Sequence, residues 1–113
     1  MEFSAGARPM WVFDQHSLAF LAVNDAALRQ YGYSREEFLA MTILDIRPEE
    51  DIPGVLRNAL QPHTVNGKRE RWRHRTRSGE ILEIEISGSA LIFENRLAQV
   101  ITVYPCAGAA SAH

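Results

Sequence analysis

The sequence predicts an α+β domain: five antiparallel strands in one sheet, with every helix inserted between the second strand and the third. Three observations carry this expectation. The run RERWRHRTRSGEILEIEIS, residues 69–87, alternates between charged and apolar side chains around a Ser78-Gly79 turn, the period-two signature of half-buried strands. Between Asn24 and Asp51, helix-capping side chains recur ahead of short apolar stripes. Apolar runs bounded by turn residues stand before and after that helical stretch. Helices grouped in this way cover one face of a sheet and leave room for a cavity beneath them.

Met10 to Phe13 forms the first strand, ended by the polar cluster Asp14-Gln15-His16-Ser17, and Leu18 to Val23 forms the second. Asn24 is a good N-cap for a helix carrying Ala27, Leu28 and Tyr31 on one side, and Gly32 ends it. Ser34 and Glu37 have capping-box spacing and open a helix with Phe38, Leu39 and Met41. Thr42 and Asp45 repeat the spacing, and Pro48 closes that turn. Asp51 is expected to cap a longer helix with Pro53 in its first turn and Val55, Leu56, Ala59 and Leu60 as its apolar stripe, up to Pro62. Ser87 to Phe93 extends the strand after the hairpin, and Glu94-Asn95-Arg96 turns the chain into a last strand, Leu97 to Tyr104.

The hairpin fixes its own turn. Residues opposed across an antiparallel ladder point to the same side. A two-residue loop at Ser78-Gly79 would set Arg75 against Leu82 and mix a charged face with an apolar one. A three-residue loop containing Gly79 instead sets arginines against Glu83 and Glu85, and Trp72 and His74 against aliphatic partners. His74 then faces the interior, where a polar side chain needs a partner. Arg71, Arg73 and Arg75 are expected to pair with Glu83 or Glu85 on the outer face.

Composition narrows the function classes. The chain's 113 residues fit one domain. A formal net charge of −2 argues against a polyanion-binding surface, so nucleic acid is not an expected partner. The single cysteine, Cys106, excludes an internal disulfide and suits a reducing compartment. No apolar run approaches the roughly 20 residues of a membrane helix, and Met1 to Ala7 lacks the regions of a signal peptide. The expectation is a cytoplasmic domain without membrane contact. Residues 1–8 and 105–113 read as linker or tail segments around a core spanning 9–104. No local spacing of His, Cys or carboxylates suggests a metal, and no nucleophile, base and orienting group can be assembled.

The element order, together with PMWVFD, the run from Val23 to Glu37 (VN-x7-YGYS-x2-E), D-I-x-P-x-x-D from Asp45 to Asp51, and RTRSGEILEIEIS, resembles the PAS domain, the sensory box of bacterial signalling proteins. The resemblance implies strand order 2-1-5-4-3, with the helices packed on the concave face and small ligands bound between them in many members. It implies a non-catalytic sensor or relay module whose effector domain, a histidine kinase or a cyclic-dinucleotide enzyme for example, belongs to the same polypeptide. It also implies pairing into a homodimer. The alternative within the family is a ligand-free dimerisation or interaction module.

No cofactor is named by the residues. The reactive cysteine of the flavin photosensor branch would fall near Met41-Thr42-Ile43-Leu44, which holds none, and Cys106 lies past the last strand. Haem binding would draw a histidine from the long helix, and Ile52 to Leu60 has none. Citrate-type sensors need basic pocket residues, and none is visible in the pattern.

Trp11 and Phe13 share one parity on the first strand and Met10 and Val12 the other; the resemblance favours Trp11 and Phe13 as cavity-facing. The expected ligand pocket is Trp11, Phe13, Tyr31, Phe38, Trp72, His74, Ile84 and Val100. For His74 a core histidine bonded to a neighbouring hydroxyl or carbonyl stands beside ligand contact, and the rings together could simply fill the cavity. Val100, Thr102 and Tyr104 are expected to face inward, leaving Leu91, Phe93, Ile101 and Val103 as an outer apolar patch for a second copy. The family's position at the end of the last strand makes Tyr104 the candidate signal-relay residue. Tyr104-Pro105-Cys106-Ala107 stands where the family often carries an Asp-Ile-Thr type motif.

Overall fold

The computed structural model describes residues 8–59 and 70–105. The order is β1 Met10–Asp14, β2 Phe20–Val23, α1 Asp25–Tyr31, α2 Arg35–Leu39, a 3-10 turn Ile43–Ile46, a second 3-10 turn Glu49–Asp51, α3 Ile52–Ala59, β3 Glu70–Arg75, β4 Ile81–Phe93 and β5 Arg96–Pro105. The five strands pair antiparallel in the order β2-β1-β5-β4-β3. Leu60 and the Pro62 stop lie outside the described residues.

The caps form as their spacing requires. Asn24 Oδ1 accepts from the Ala27 N–H at 3.0 Å, and Gly32 closes α1 with φ 86°, a conformation glycine adopts without steric cost. Both capping boxes close, Ser34 with Glu37 and Thr42 with Asp45, although the second opens a 3-10 turn rather than an α-helix. Asp51 departs from expectation. It ends the second 3-10 turn, and its carboxylate takes both the Nε (3.0 Å) and Nη2 (2.8 Å) of Arg73. A bidentate guanidinium is a stronger partner than a backbone N–H, so the residue ties the start of α3 to the edge strand β3.

The register fixes the faces. His74 opposes Leu82, Trp72 opposes Ile84, Arg73 opposes Glu83 and Arg71 opposes Glu85. Thr76 N–H donates to the Glu80 carbonyl at 2.9 Å, leaving Arg77-Ser78-Gly79 as a three-residue loop with Gly79 at φ 98°. Arg75 opposes Ile81 rather than a glutamate. Arg73 bonds Asp51 and Glu50, because β3 is a sheet edge and a long side chain there can reach the helical layer.

Two expectations about faces are corrected. Trp11 opposes Ile101 and Val12 opposes Val100, so with Trp11 inside, Ile101 and Val103 face the core and Val100, Thr102 and Tyr104 share the outer face. Ile101 and Val103 belong to the core cluster. The outer apolar stripe is therefore made by Leu91, Phe93 and Val100, not by Ile101 and Val103, and Val12 on the same face is already covered. A bulge in β2 is the other surprise: Val12 opposes Ala22 while Phe13 opposes Phe20, so Leu21 is an extra residue. It lets Phe20 and Val23, three residues apart, both turn inward.

Asn24 does more than cap. Its fully buried Oδ1 also accepts from the Met10 N–H at 3.0 Å, and its Nδ2 donates to the Arg8 carbonyl at 2.8 Å. One side chain thus fastens the start of β1 to the start of α1. Asn24→Ala is expected to lower unfolding free energy by about 1 to 3 kcal/mol, since it removes a cap and leaves buried backbone groups unpaired. Denaturant titration of the two proteins measures it, and a difference within error would contradict the role.

Candidate functional site

The space between sheet and helices holds a ring cluster. Trp11 from β1 meets Phe20 edge-on at 5.7 Å and Tyr31 at 5.5 Å between centroids. Phe38 from α2 packs against Phe20 at 4.9 Å, and His74 lies 5.5 Å from both Trp11 and Tyr31. The perpendicular contacts of Trp11 with Phe20 and Tyr31, and of Phe20 with Phe38, set the positive ring edge against the negative face and add to the burial of large apolar area. Phe13, Ile84 and Val55 belong to the same cluster, and Trp72 packs against it half-buried.

Seven of the eight expected pocket residues thus lie in or against one volume: Trp11, Phe13, Tyr31, Phe38, Trp72, His74 and Ile84. Val100 does not; it is half-buried on the opposite face of the sheet. Tyr104, half-buried on that outer face, lies under the Arg8 guanidinium at 4.7 Å from ring centroid to Cζ. The strand end and the residue leading into β1 are therefore in direct contact.

Within the rings sits a polar set. Tyr31 Oη lies 2.5 Å from His74 Nδ1, and both side chains are fully buried. Their elements are held together by backbone as well: the Arg77 N–H of the hairpin loop donates to the Tyr31 carbonyl at 2.9 Å. Arg77 also pairs with Glu37 of α2 at 3.3 Å. Arg47, which follows the first 3-10 turn, is the third member. It is 5% exposed and its Cζ stands 5.1 Å over the Trp72 ring. The positions D-I-R-P gave no sign of this. The signal available was the placement of Arg47 between Ile46 and Pro48, both buried, and it corrects the view that the interior lacks a basic residue.

Burial governs the ionisation of all three. It pushes the Tyr31 hydroxyl well above its ordinary value, against the opposing pull of the Arg47 charge. It pushes the His74 imidazole well below 6.5, and the Arg47 charge acts in the same direction. It pulls Arg47 down to about 10, leaving it charged at neutral pH. With both groups neutral, the tautomer in which the hydroxyl donates to Nδ1 and the imidazole proton sits on Nε2 leaves one buried polar group unpaired, where the other tautomer leaves both the phenol hydrogen and Nε2 without a partner, so the first is favoured. Among the described residues, His74 Nε2 and the Nε and Nη1 of Arg47 are buried and have no hydrogen-bond partner. Among the described residues the interior therefore presents three donor nitrogens that no acceptor meets.

Beyond Trp72 a groove of about 550 Å³ runs between the Glu50–Arg57 segment and the edge strand, lined by Asp51, Gly54, Arg57, Arg71, Trp72 and Arg73 among others. Trp72 lines this groove and is the neighbour of His74 on the same face of β3.

Residues 8–104 match the PAS domain family. The chain belongs to it. A PAS domain from a two-component sensor histidine kinase is 27% identical, with TM-score 0.70, and the match covers 88% of this chain and 86% of that one. A domain of a sensory box sensor histidine kinase/response regulator from Geobacter sulfurreducens is 24% identical over 88% of this chain and 85% of that one, with TM-score 0.68. A PAS domain from Desulfitobacterium hafniense shares the fold at TM-score 0.80 with 13% identity, covering 90% and 95%. No curated protein matches the sequence. PAS domains of this kind are sensory signalling modules and are typically not catalysts. Among the described residues, no helix is long and apolar enough to cross a membrane.

The buried histidine has a pH signature. Below 6.5 the unfolded chain takes up a proton that folded His74 refuses, so the group leaves stability unchanged above that pH and lowers it below. From this group alone, stability is expected to fall by about 1 kcal/mol between pH 6.5 and 5.5, read by urea unfolding at the two values. A Tyr31→Phe variant, which leaves Nδ1 unpaired, is expected to lose about 1 to 3 kcal/mol at pH 7.5. An unchanged midpoint would show that the bond contributes nothing.

Proposed function

We propose that this PAS domain is a small-ligand sensor that passes its state to an effector domain in the same polypeptide, of the kind found in sensor histidine kinases. The single observation that carries the reading is the set of buried, unpartnered donors on His74 and Arg47 inside the ring cluster. A core evolved only to pack would be expected to satisfy or omit such groups, because each unpaired buried donor costs about 1 to 3 kcal/mol. Trp72 lines an open groove and also carries Arg47 over its ring, so a shift of that ring and the adjoining α3 would open a way from the groove toward these donors. Strand β3 is the route outward. It pairs with β4, and β4 pairs with β5, whose end carries Tyr104 against Arg8. A change at His74 thus reaches the residues that adjoin both ends of the domain through hydrogen-bonded strands, which supports Tyr104 as the relay residue.

A second reading, the ligand-free dimerisation module, is favoured by the close filling of the interior with Trp11, Phe20, Tyr31 and Phe38. It would use the partly exposed outer stripe of Leu91, Phe93 and Val100. Native mass spectrometry separates the two. After incubation with the small-molecule fraction of a cell extract, the sensor reading expects a bound mass that is released on denaturation and does not appear with Tyr31→Trp, which would overfill the cluster. A protein that stays free of any bound mass and gains only its own dimer would support the second reading and overturn the first.

A further inference from the structure

Resting on the sensor reading, we propose that the ligand is a small organic carboxylate, seated by the Arg47 guanidinium and His74 Nε2–H, with its carbon skeleton toward Trp72 and the groove beyond. The unpartnered atoms are all donors, so the complementary group has acceptor oxygens and no N–H or O–H to spare. The site carries one full positive charge, that of Arg47, beside a neutral imidazole and a neutral phenol. A monoanion balances it. A phosphate dianion would bring an uncompensated charge into the interior, at a desolvation cost that the one cation does not offset. The unpartnered Arg47 Nε–H and Nη1–H point to different sides of the guanidinium, so each takes a separate acceptor oxygen, and a carboxylate can give one oxygen to the guanidinium and the other to His74 Nε2–H.

The two residues are neighbours. Arg47 stacks on Trp72 at 5.1 Å, and Trp72 and His74 are alternate residues on the same face of β3, about 7 Å apart along the strand. The indole holds the guanidinium by a cation–π contact that consumes none of its N–H groups, leaving the unpartnered Nε and Nη1 for the ligand. The groove lining is charge-balanced, with Arg57, Arg71 and Arg73 against Glu50, Asp51 and Glu83. Anion selectivity therefore falls to the buried pair and not to the entrance.

The test uses the full chain, labelled with ¹⁵N, and four probes: sodium acetate, sodium benzoate, benzamide and sodium phosphate. Acetate and benzoate are expected to give saturable shifts of the Arg47 Nε and His74 Nε2 resonances, with benzoate the tighter. Benzamide, the neutral isostere, and phosphate are expected to leave both unmoved. Arg47→Gln, which keeps a polar side chain but removes the charge, is expected to weaken benzoate at least tenfold, and His74→Gln by a smaller factor. The inference is overturned if neither carboxylate moves those resonances, if benzamide or phosphate moves them equally, or if the response survives Arg47→Gln. In each of those cases, a mass released from the native protein would still leave the domain a sensor, for a ligand of different chemistry.

Discussion

The hydrogen bond between Tyr31 and His74 joins α1 to β3 across 43 residues of sequence, and the rest of the interior is arranged around it. A buried bond of this type adds only about 0.5 to 1.5 kcal/mol when made, but leaving either partner unmade costs more than that. It therefore acts chiefly as a constraint. His74 faces Tyr31 only if β3 and β4 keep their register, and that register depends on the Arg77-Ser78-Gly79 loop and its docking on the Tyr31 carbonyl. A slip by one residue would turn His74 to solvent and bring arginines inward.

From the same bond follows the chemistry of the interior. With Nδ1 occupied by the hydroxyl, the imidazole can offer only a donor to the remaining space, and the Arg47 guanidinium has only donors by nature. Burial favours the neutral imidazole, and Arg47 keeps its charge because its unperturbed value lies so far above neutrality. The core is thus apolar in area and electropositive at one point. Low local polarisability makes that point strong for whatever anion reaches it.

Much of this arrangement was legible in the sequence. The alternation of residues 69–87 was enough to give the loop length, the faces of the hairpin and the burial of His74, because period two admits one register that separates charge from hydrocarbon. The caps at Asn24, Ser34 and Thr42 could be read because side-chain capping is a local interaction. What could not be read depends on long-range geometry. Val100 was placed inside because β5 is apolar on both parities, and only pairing with β1 decides between them. Phe20 joins the cluster through a bulge that alternation cannot reveal. Asp51 looked like a cap until Arg73 reached it from a strand more than twenty residues away, and nothing in the pattern singled out Arg47. Its burial is decided by Trp72, which packs beneath it from the edge strand.

The state of the His74 ring tests the account most directly. Long-range ¹⁵N–¹H correlation of the imidazole at pH 6 is predicted to show a neutral ring with its proton on Nε2 and an unprotonated Nδ1 accepting from the Tyr31 hydroxyl. A ring protonated on Nδ1, or an imidazolium at that pH, would mean that the interior offers an acceptor or a second charge where the account places a donor, and would contradict it.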